Sequence, residues 1–262
     1  MRFRSGPVTV VLMSLLVGAC GITTSPDRTL ADDIEEAAEA TAGLDSYEFS
    51  WTADYRLSES ETGRSSLTVT GSGVVDAEAG DVDAVVEYDE DFLDVTRSLF
   101  ADETITRVQA FTRVVGDAVY IRGFHAAALV DDLSPAYETW YEVGGRSQNV
   151  QDPLVRSDVL PADVLPVVVE PLVDAGELSV VADRDFVLDL GTRFSRSLYD
   201  FGLLIGGGDF DVSVEIADGL IGTLILEGDD PGTGVERFTF VIRFTPIEDP
   251  AIGPPPDPVS VR

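Results

Sequence analysis

From Ser46 to Leu57 the residues alternate, with Tyr47, Phe49, Trp51, Ala53, Tyr55 and Leu57 on one side and Ser46, Glu48, Ser50, Thr52, Asp54 and Arg56 on the other. A period of two belongs to a β-strand with one buried face. A strand of this length exposes two rows of backbone donors and acceptors and one aromatic face. The rest of the chain must pair the first and cover the second.

Several segments read as partners for it. After a turn at 58–63, Arg64 to Asp76 returns as a second strand, with Leu67, Val69 and Val75 on one face and Gly71 and Gly73 inside it. Glycines within a strand mark a bulge, a bend or the close approach of another group. Val82 to Tyr88, Thr104 to Val115 and Ala118 to Arg122 follow, and Gly116-Asp117 makes a hairpin of the last two. A short strand is expected around Trp140, over Tyr137 to Val143, and one or two more over Glu177 to Leu190. Asp209 to Ala217 and Leu220 to Glu227 are joined by Asp218-Gly219, a two-residue hairpin signal, and Val235 to Thr245 is the last strand.

Helical signals are fewer. Thr29 to Gly43 has Thr29 as N-cap, Asp32 and Asp33 in the first turn, and Gly43 where a left-handed C-terminal residue belongs. Leu30, Ile34, Ala37, Ala38 and Thr41 form its apolar stripe. Between 150 and 176, Pro153, Pro161, Pro166 and Pro171 forbid a long helix or a central strand. Short helices opening at Pro153, Pro161 and Pro166, with Gly176 as a stop, are expected there, and a further helix over Phe194 to Ile205. The hairpin-rich order argues for an α+β domain: one antiparallel sheet of about 9–11 strands that twists and curls, with helices packed on one face.

The ends carry a different kind of information. Arg2 and Arg4 precede an apolar run from Val8 to Val17, and Leu16-Val17-Gly18-Ala19-Cys20 reads as a lipobox. A core of about ten residues is too short to span the bilayer as a helix, so a signal peptide is the reading. Cys20 is the only cysteine, which excludes an intrachain disulfide and makes it the lipidation site, with a diacylglycerol on its thiol. The expected organisation is a signal peptide over 1–19, a lipidated tether over 20–28, the folded domain over 29–247 and a proline-rich tail over 248–262. The expected location is the extracytoplasmic face of the cell membrane.

Charge and missing residue types exclude much chemistry. The whole chain has a formal net charge of −31, and without residues 1–19 it keeps 15 arginines against 48 acids and no lysine, a net of −33. Such a surface repels nucleic acid and anionic headgroups. It suits a salty habitat, or a calcium or cationic partner. Lacking lysine, the chain has no P-loop, Schiff base or Ser-Lys dyad, and with His125 its only histidine it has no HExxH or histidine-rich metal site. No Gly-x-Ser-x-Gly elbow accompanies His125. The acid pairs Asp89-Glu90-Asp91, Asp131-Asp132 and Asp229-Asp230 lack EF-hand spacing. No catalytic residue, metal ligand or cofactor is assigned.

The order of features resembles the LppX/LprAFG-type lipoproteins of actinobacteria, which share a half-barrel fold with the LolA/LolB lipoprotein carriers. The likeness rests on the lipobox at Cys20, the N-terminal helix followed by Ser46-Tyr47-Glu48-Phe49, Gly71-Ser72-Gly73, Val114 to Arg122, Thr139-Trp140-Tyr141-Glu142 and the closing Ile247 to Pro258. It implies a strongly curved sheet with helices on the concave side, enclosing an apolar cavity for a lipid or glycolipid. Phe49, Trp51, Leu67, Val69, Val86, Tyr120 and Trp140 are then the candidate lining residues. The same residues suit an ordinary dry core, and with it a non-enzymatic accessory lipoprotein that binds an envelope protein partner.

Overall fold

The computed structural model describes residues 28–57, 66–89, 108–124, 126–127, 133–145, 162, 165–182, 210–228 and 235–261. The 150–161 prolines, His125, the 194–205 segment and the whole lipobox lie outside the described residues.

Helix α1 (Leu30–Ala42) opens on a capping box: Thr29 Oγ1 accepts from the Asp32 N–H at 3.2 Å, and the Thr29 N–H donates to the Asp32 carboxylate at 2.7 Å. Ile34, Ala37, Ala38 and Thr41 are buried as the stripe requires, whereas Leu30 is 41% exposed. Gly43 is the C-cap, but with φ −88 it is not the left-handed residue expected there; its N–H returns to Glu39 O at 2.9 Å within an ordinary turn.

Eleven strands form one open sheet: β1 (Ser46–Leu57), β2 (Ser66–Asp76), β3 (Asp81–Tyr88), β4 (Val108–Val115), β5 (Ala118–Gly123), β6 (Tyr141–Gly145), β7 (Ser179–Ala182), β8 (Phe210–Ala217), β9 (Leu220–Gly228), β10 (Val235–Pro246) and β11 (Val259–Ser260). Their spatial order is β11-β6-β5-β4-β3-β2-β1-β10-β9-β8-β7. Chain neighbours therefore make two meanders, β1 to β6 and β7 to β10, and the β1–β10 ladder joins them. That ladder sets Phe49 against Phe244 and Trp51 against Ile242. The fold is α+β, as expected, but the sheet is mixed: β11 runs parallel to β6. Asp218 (φ 54) and Gly219 (φ 77) both take the left-handed conformation that a tight β8–β9 hairpin needs.

Three further short helices are α2 (Leu133–Glu138), α3 (Leu165–Val168) and α4 (Glu170–Ala175). Tyr137 and Glu138, expected in a strand, belong to α2, and only the part from Tyr141 onward pairs as β6. Pro135 sits in the first turn of α2, where its missing N–H costs nothing. Pro166 and Pro171 likewise sit in the opening turns of α3 and α4, and Gly176 stops α4 as expected, in a left-handed conformation (φ 65).

One face of the sheet, here the inner face, buries a contiguous core. Ile34, Ala37 and Ala38 of α1 and Leu165 and Leu172 of α3 and α4 join Phe49, Trp51, Phe210, Leu224, Phe238 and Ile242. Thr41 fixes α1 to β9: its hydroxyl donates to Ala37 O and accepts from Ile221 N–H, both at 2.8 Å. A smaller cluster of Val108, Ile121, Ala126, Ala127, Ala136 and Tyr141 lies where α2 meets β5.

The 247–261 segment, expected as a tail, returns to the sheet. Ile247 N–H bonds Ser46 O beside β1, while Val259 and Val261 donate to Trp140 O and Glu142 O on β6, both at 2.9 Å. Between these points lie β2 to β5. The segment thus straps the β1–β6 half of the sheet.

Candidate functional site

The inner face of β1 carries the densest group of candidate residues. Phe49 and Trp51 are 3% and 6% exposed. In the β1–β2 ladder Phe49 opposes Gly73 and Trp51 opposes Gly71, with no shift of register at either glycine. The glycines are there for close approach rather than for a bulge. A Cβ on Gly71 would stand 2.1 Å from Trp51 Nε1, and one on Gly73 would stand 2.6 Å from Phe49 Cζ. Both rings therefore lie over bare backbone. Phe240 packs against Trp51 with centroids 5.9 Å apart, and Phe244 meets Tyr47 edge-on at the same distance. Tyr47 Oη in turn accepts the Ala162 N–H at 3.2 Å.

Around these rings the floor is made of small residues. Gly71 opposes Val86, Gly73 opposes Ala84, and Val86 opposes Ala110. Val69, Val82, Ala84 and Tyr88 are only partly buried, while Val86 and Ala110 are covered. One polar atom stands out in this apolar wall. Trp51 Nε1 is buried and has no hydrogen-bond partner among the described residues.

The seven candidate lining residues do not all meet. Phe49, Trp51, Val69 and Val86 share the inner face, and Leu67 pairs with Tyr55 in the same β1–β2 ladder. Tyr120 and Trp140 are on the other side. Tyr120 opposes Arg113, three residues from inner-face Ala110 and so on the outer face. The Trp140 ring is met by Phe111, Arg113 and Arg122, the outer-face residues of β4 and β5. Tyr120 and Trp140 therefore cannot line an inner-face cavity. The parity that separates them was readable: in FTRVV and VYIR, Arg113, Tyr120 and Arg122 fall on the alternate positions to Ala110, Val119 and Ile121.

A cavity of about 320 Å³ also lies on the outer face. Glu48, Ser50, Ser72, Val74 and Thr245 line it, with backbone of Phe49 and Gly73 as its floor. Its polar lining is the other half of the β1 alternation. Among the described residues no group of three or more His, Cys, Asp or Glu side chains is placed to hold a metal ion, and no helix is long and apolar enough to cross a membrane.

The site and fold together define an open-sheet α+β protein in which the aromatic residues of β1 share one core cluster with residues of α1, α3 and α4. No family model matches the chain, and no curated protein matches it significantly.

Proposed function

We propose that this chain is a membrane-anchored extracytoplasmic lipoprotein that binds a lipid or another hydrophobic ligand against the Phe49–Trp51 face. On this reading the sheet is strongly curved, the helices sit on its concave side, and the protein carries its ligand across the cell envelope without chemical change. Diacylglycerol on Cys20 holds it at the membrane. The observation that carries the proposal is the Trp51 indole. A buried donor left without an acceptor costs about 1–3 kcal/mol, and a ligand's ester or carbonyl oxygen would meet it. The small residues around the ring, Gly71, Ala84 and Ala110, and the half-buried Val69, Val82 and Tyr88 support an apolar ligand there.

A second reading has its own support. Phe49 and Trp51 belong to one contiguous core with α1, α3 and α4, which suits an accessory lipoprotein with a packed interior and an envelope protein as partner.

Mass spectrometry of organic extracts separates the two. Protein purified from bacterial membranes is expected to bring a defined lipid in near-stoichiometric amount, beyond that carried by an unrelated lipoprotein treated identically. An extract no richer than that control would leave the packed accessory module. For the anchor, Cys20→Ser is expected to abolish membrane partitioning or to leave an uncut precursor.

A further inference from the structure

The arginine pair on the outer face serves no part of the proposed lipid site. Most arginines among the described residues meet carboxylates: Arg28 with Asp33 and Glu36, Arg56 with Glu236, Arg113 with Asp83, and Arg237 with Glu227. Arg122 differs. In a chain of 48 acids, its guanidinium has no ion pair or hydrogen bond among the described residues. It lies between two aromatic rings, 4.3 Å from the Phe111 centroid and 4.8 Å from that of Trp140. Its Nε is buried and unpartnered. The residue as a whole is half-buried, so the terminal nitrogens of its fork reach solvent.

Arg113 stands beside it, 5.2 Å above the same Trp140 ring. One terminal nitrogen of Arg113 bonds Asp83, and the other donates to Gly253 O of the strap at 3.1 Å. Each of those nitrogens retains a second N–H. Burial, first, and the neighbouring Arg113 charge, second, push the Arg122 pKa below its ordinary value, and the Asp83 carboxylate offsets part of this. Asp83 is ion-paired with Arg113, so the charge left over on the pair is that of Arg122, and a further anion stabilises it. Among the described outer-face acids of β3 and β6, Asp83 is engaged by Arg113, Glu87 by the Gln109 amide and Glu142 by the Ser260 hydroxyl at 3.4 Å.

We propose that Arg122 and Arg113, stacked on Trp140, form a phosphate-oxyanion site on the outer face of the sheet. A carboxylate occupies one guanidinium fork. A tetrahedral phosphate offers further oxygens, which reach the free N–H groups of the second arginine while the first holds two. Among the described residues no carboxylate pairs with Arg122. The phosphate is either free or the phosphodiester of a lipid headgroup, and the site's chemistry is the same for both.

Calorimetric titration of the full chain in an uncharged detergent tests this, with inorganic phosphate and glycerophosphocholine as the two probes and acetate at equal ionic strength as control. At least one phosphate probe is expected to bind. Binding of glycerophosphocholine assigns the headgroup, and binding of inorganic phosphate alone assigns the free ion. Arg122→Gln is expected to weaken binding about tenfold or more, and Arg122→Lys, which keeps the charge and loses the fork, to weaken it nearly as much. If Arg122→Gln does not fold, Arg122→Lys carries the comparison. The proposal is overturned if neither phosphate probe binds, if acetate binds as tightly, or if the folded variants bind like the wild type.

Discussion

A methyl group on Gly71 would collide with the Trp51 indole, and one on Gly73 with both Phe49 and the backbone oxygen of Asp83, 2.5 Å away. The two collisions differ in kind. The Gly71 methyl meets only side-chain atoms, those of a rigid indole that is buried and packed on Phe240, whereas the Gly73 methyl also meets a strand carbonyl that cannot move without disturbing its ladder. Overpacking typically costs about 1–3 kcal/mol, so both variants are expected toward the top of that range, with Gly73→Ala the more costly. Urea unfolding of the two variants measures the difference; equal and negligible losses would mean that the rings do not lie on the glycines. The sequence placed both glycines within a strand and left three meanings for them. It could not choose, because the choice depends on which side chains of the neighbouring strand lie across them. Asp32 gives a pH-dependent counterpart at the same scale. Bonds from the Thr29 backbone N–H and then its hydroxyl lower its pKa from the ordinary 3.8. A depressed carboxylate pKa stabilises the fold above the unfolded value and loses that contribution as pH falls through the folded one. Asp32→Asn is therefore expected to be less stable than the wild type at neutral pH, with the gap in melting temperature closing as pH drops below 3.8.

Among the elements, β4 and β5 show what alternation gives and what composition hides. Their hairpin is where Gly116-Asp117 put it, with Val115 opposite Ala118. Tyr120 and Trp140 share the aromatic character of the inner-face residues but lie on the outer face, a difference that composition does not show. On that outer face two arginines cover the rings, so aromatic residues are buried there without belonging to the core. The short helix α2 has a related cause: Tyr137 to Val143 carries three aromatic residues that suit a strand, and Tyr137 and Glu138 nonetheless belong to a helix that opens at Leu133. The strap left almost no local signal. Its two β11 residues gain their place from Arg113 and from the free edge of β6, both distant in sequence. Removing residues 253–262 deletes the Arg113–Gly253 bond and the two backbone bonds to β6. At roughly 1 kcal/mol for each bond, a loss of about 2–4 kcal/mol is expected in chemical denaturation. Self-association through the uncovered β6 edge should accompany it. A truncated chain as stable and as monomeric as the wild type would show that the strap only rests on the sheet.

For the molecule as a whole, the β4–β5 and β8–β9 hairpins were legible because each closes on a two-residue turn, but the union of the two meanders was not. The β1–β10 ladder joins residues some 200 positions apart, and no turn chemistry announces such a pairing. What suggests it afterwards is a match of character, since Phe238, Phe240, Ile242 and Phe244 alternate over the same length as Phe49 to Tyr55. That ladder puts Trp51 at the middle of the sheet, where the functional proposal rests on it. If the Trp51 face is solely packed core, Trp51→Ala should cost about 3–5 kcal/mol through the cavity it leaves. If a lipid lies against the indole, much of that space is already ligand. The decisive measurement is paired: chemical unfolding and fluorescent-lipid binding of the chain without residues 1–20, wild type against Trp51→Ala. The expected result is saturable lipid binding by the wild type, a clear loss of it in Trp51→Ala, and a stability cost well below that of core deletion. A wild type that binds no lipid, with a variant that loses the full core-deletion energy, would contradict the carrier proposal.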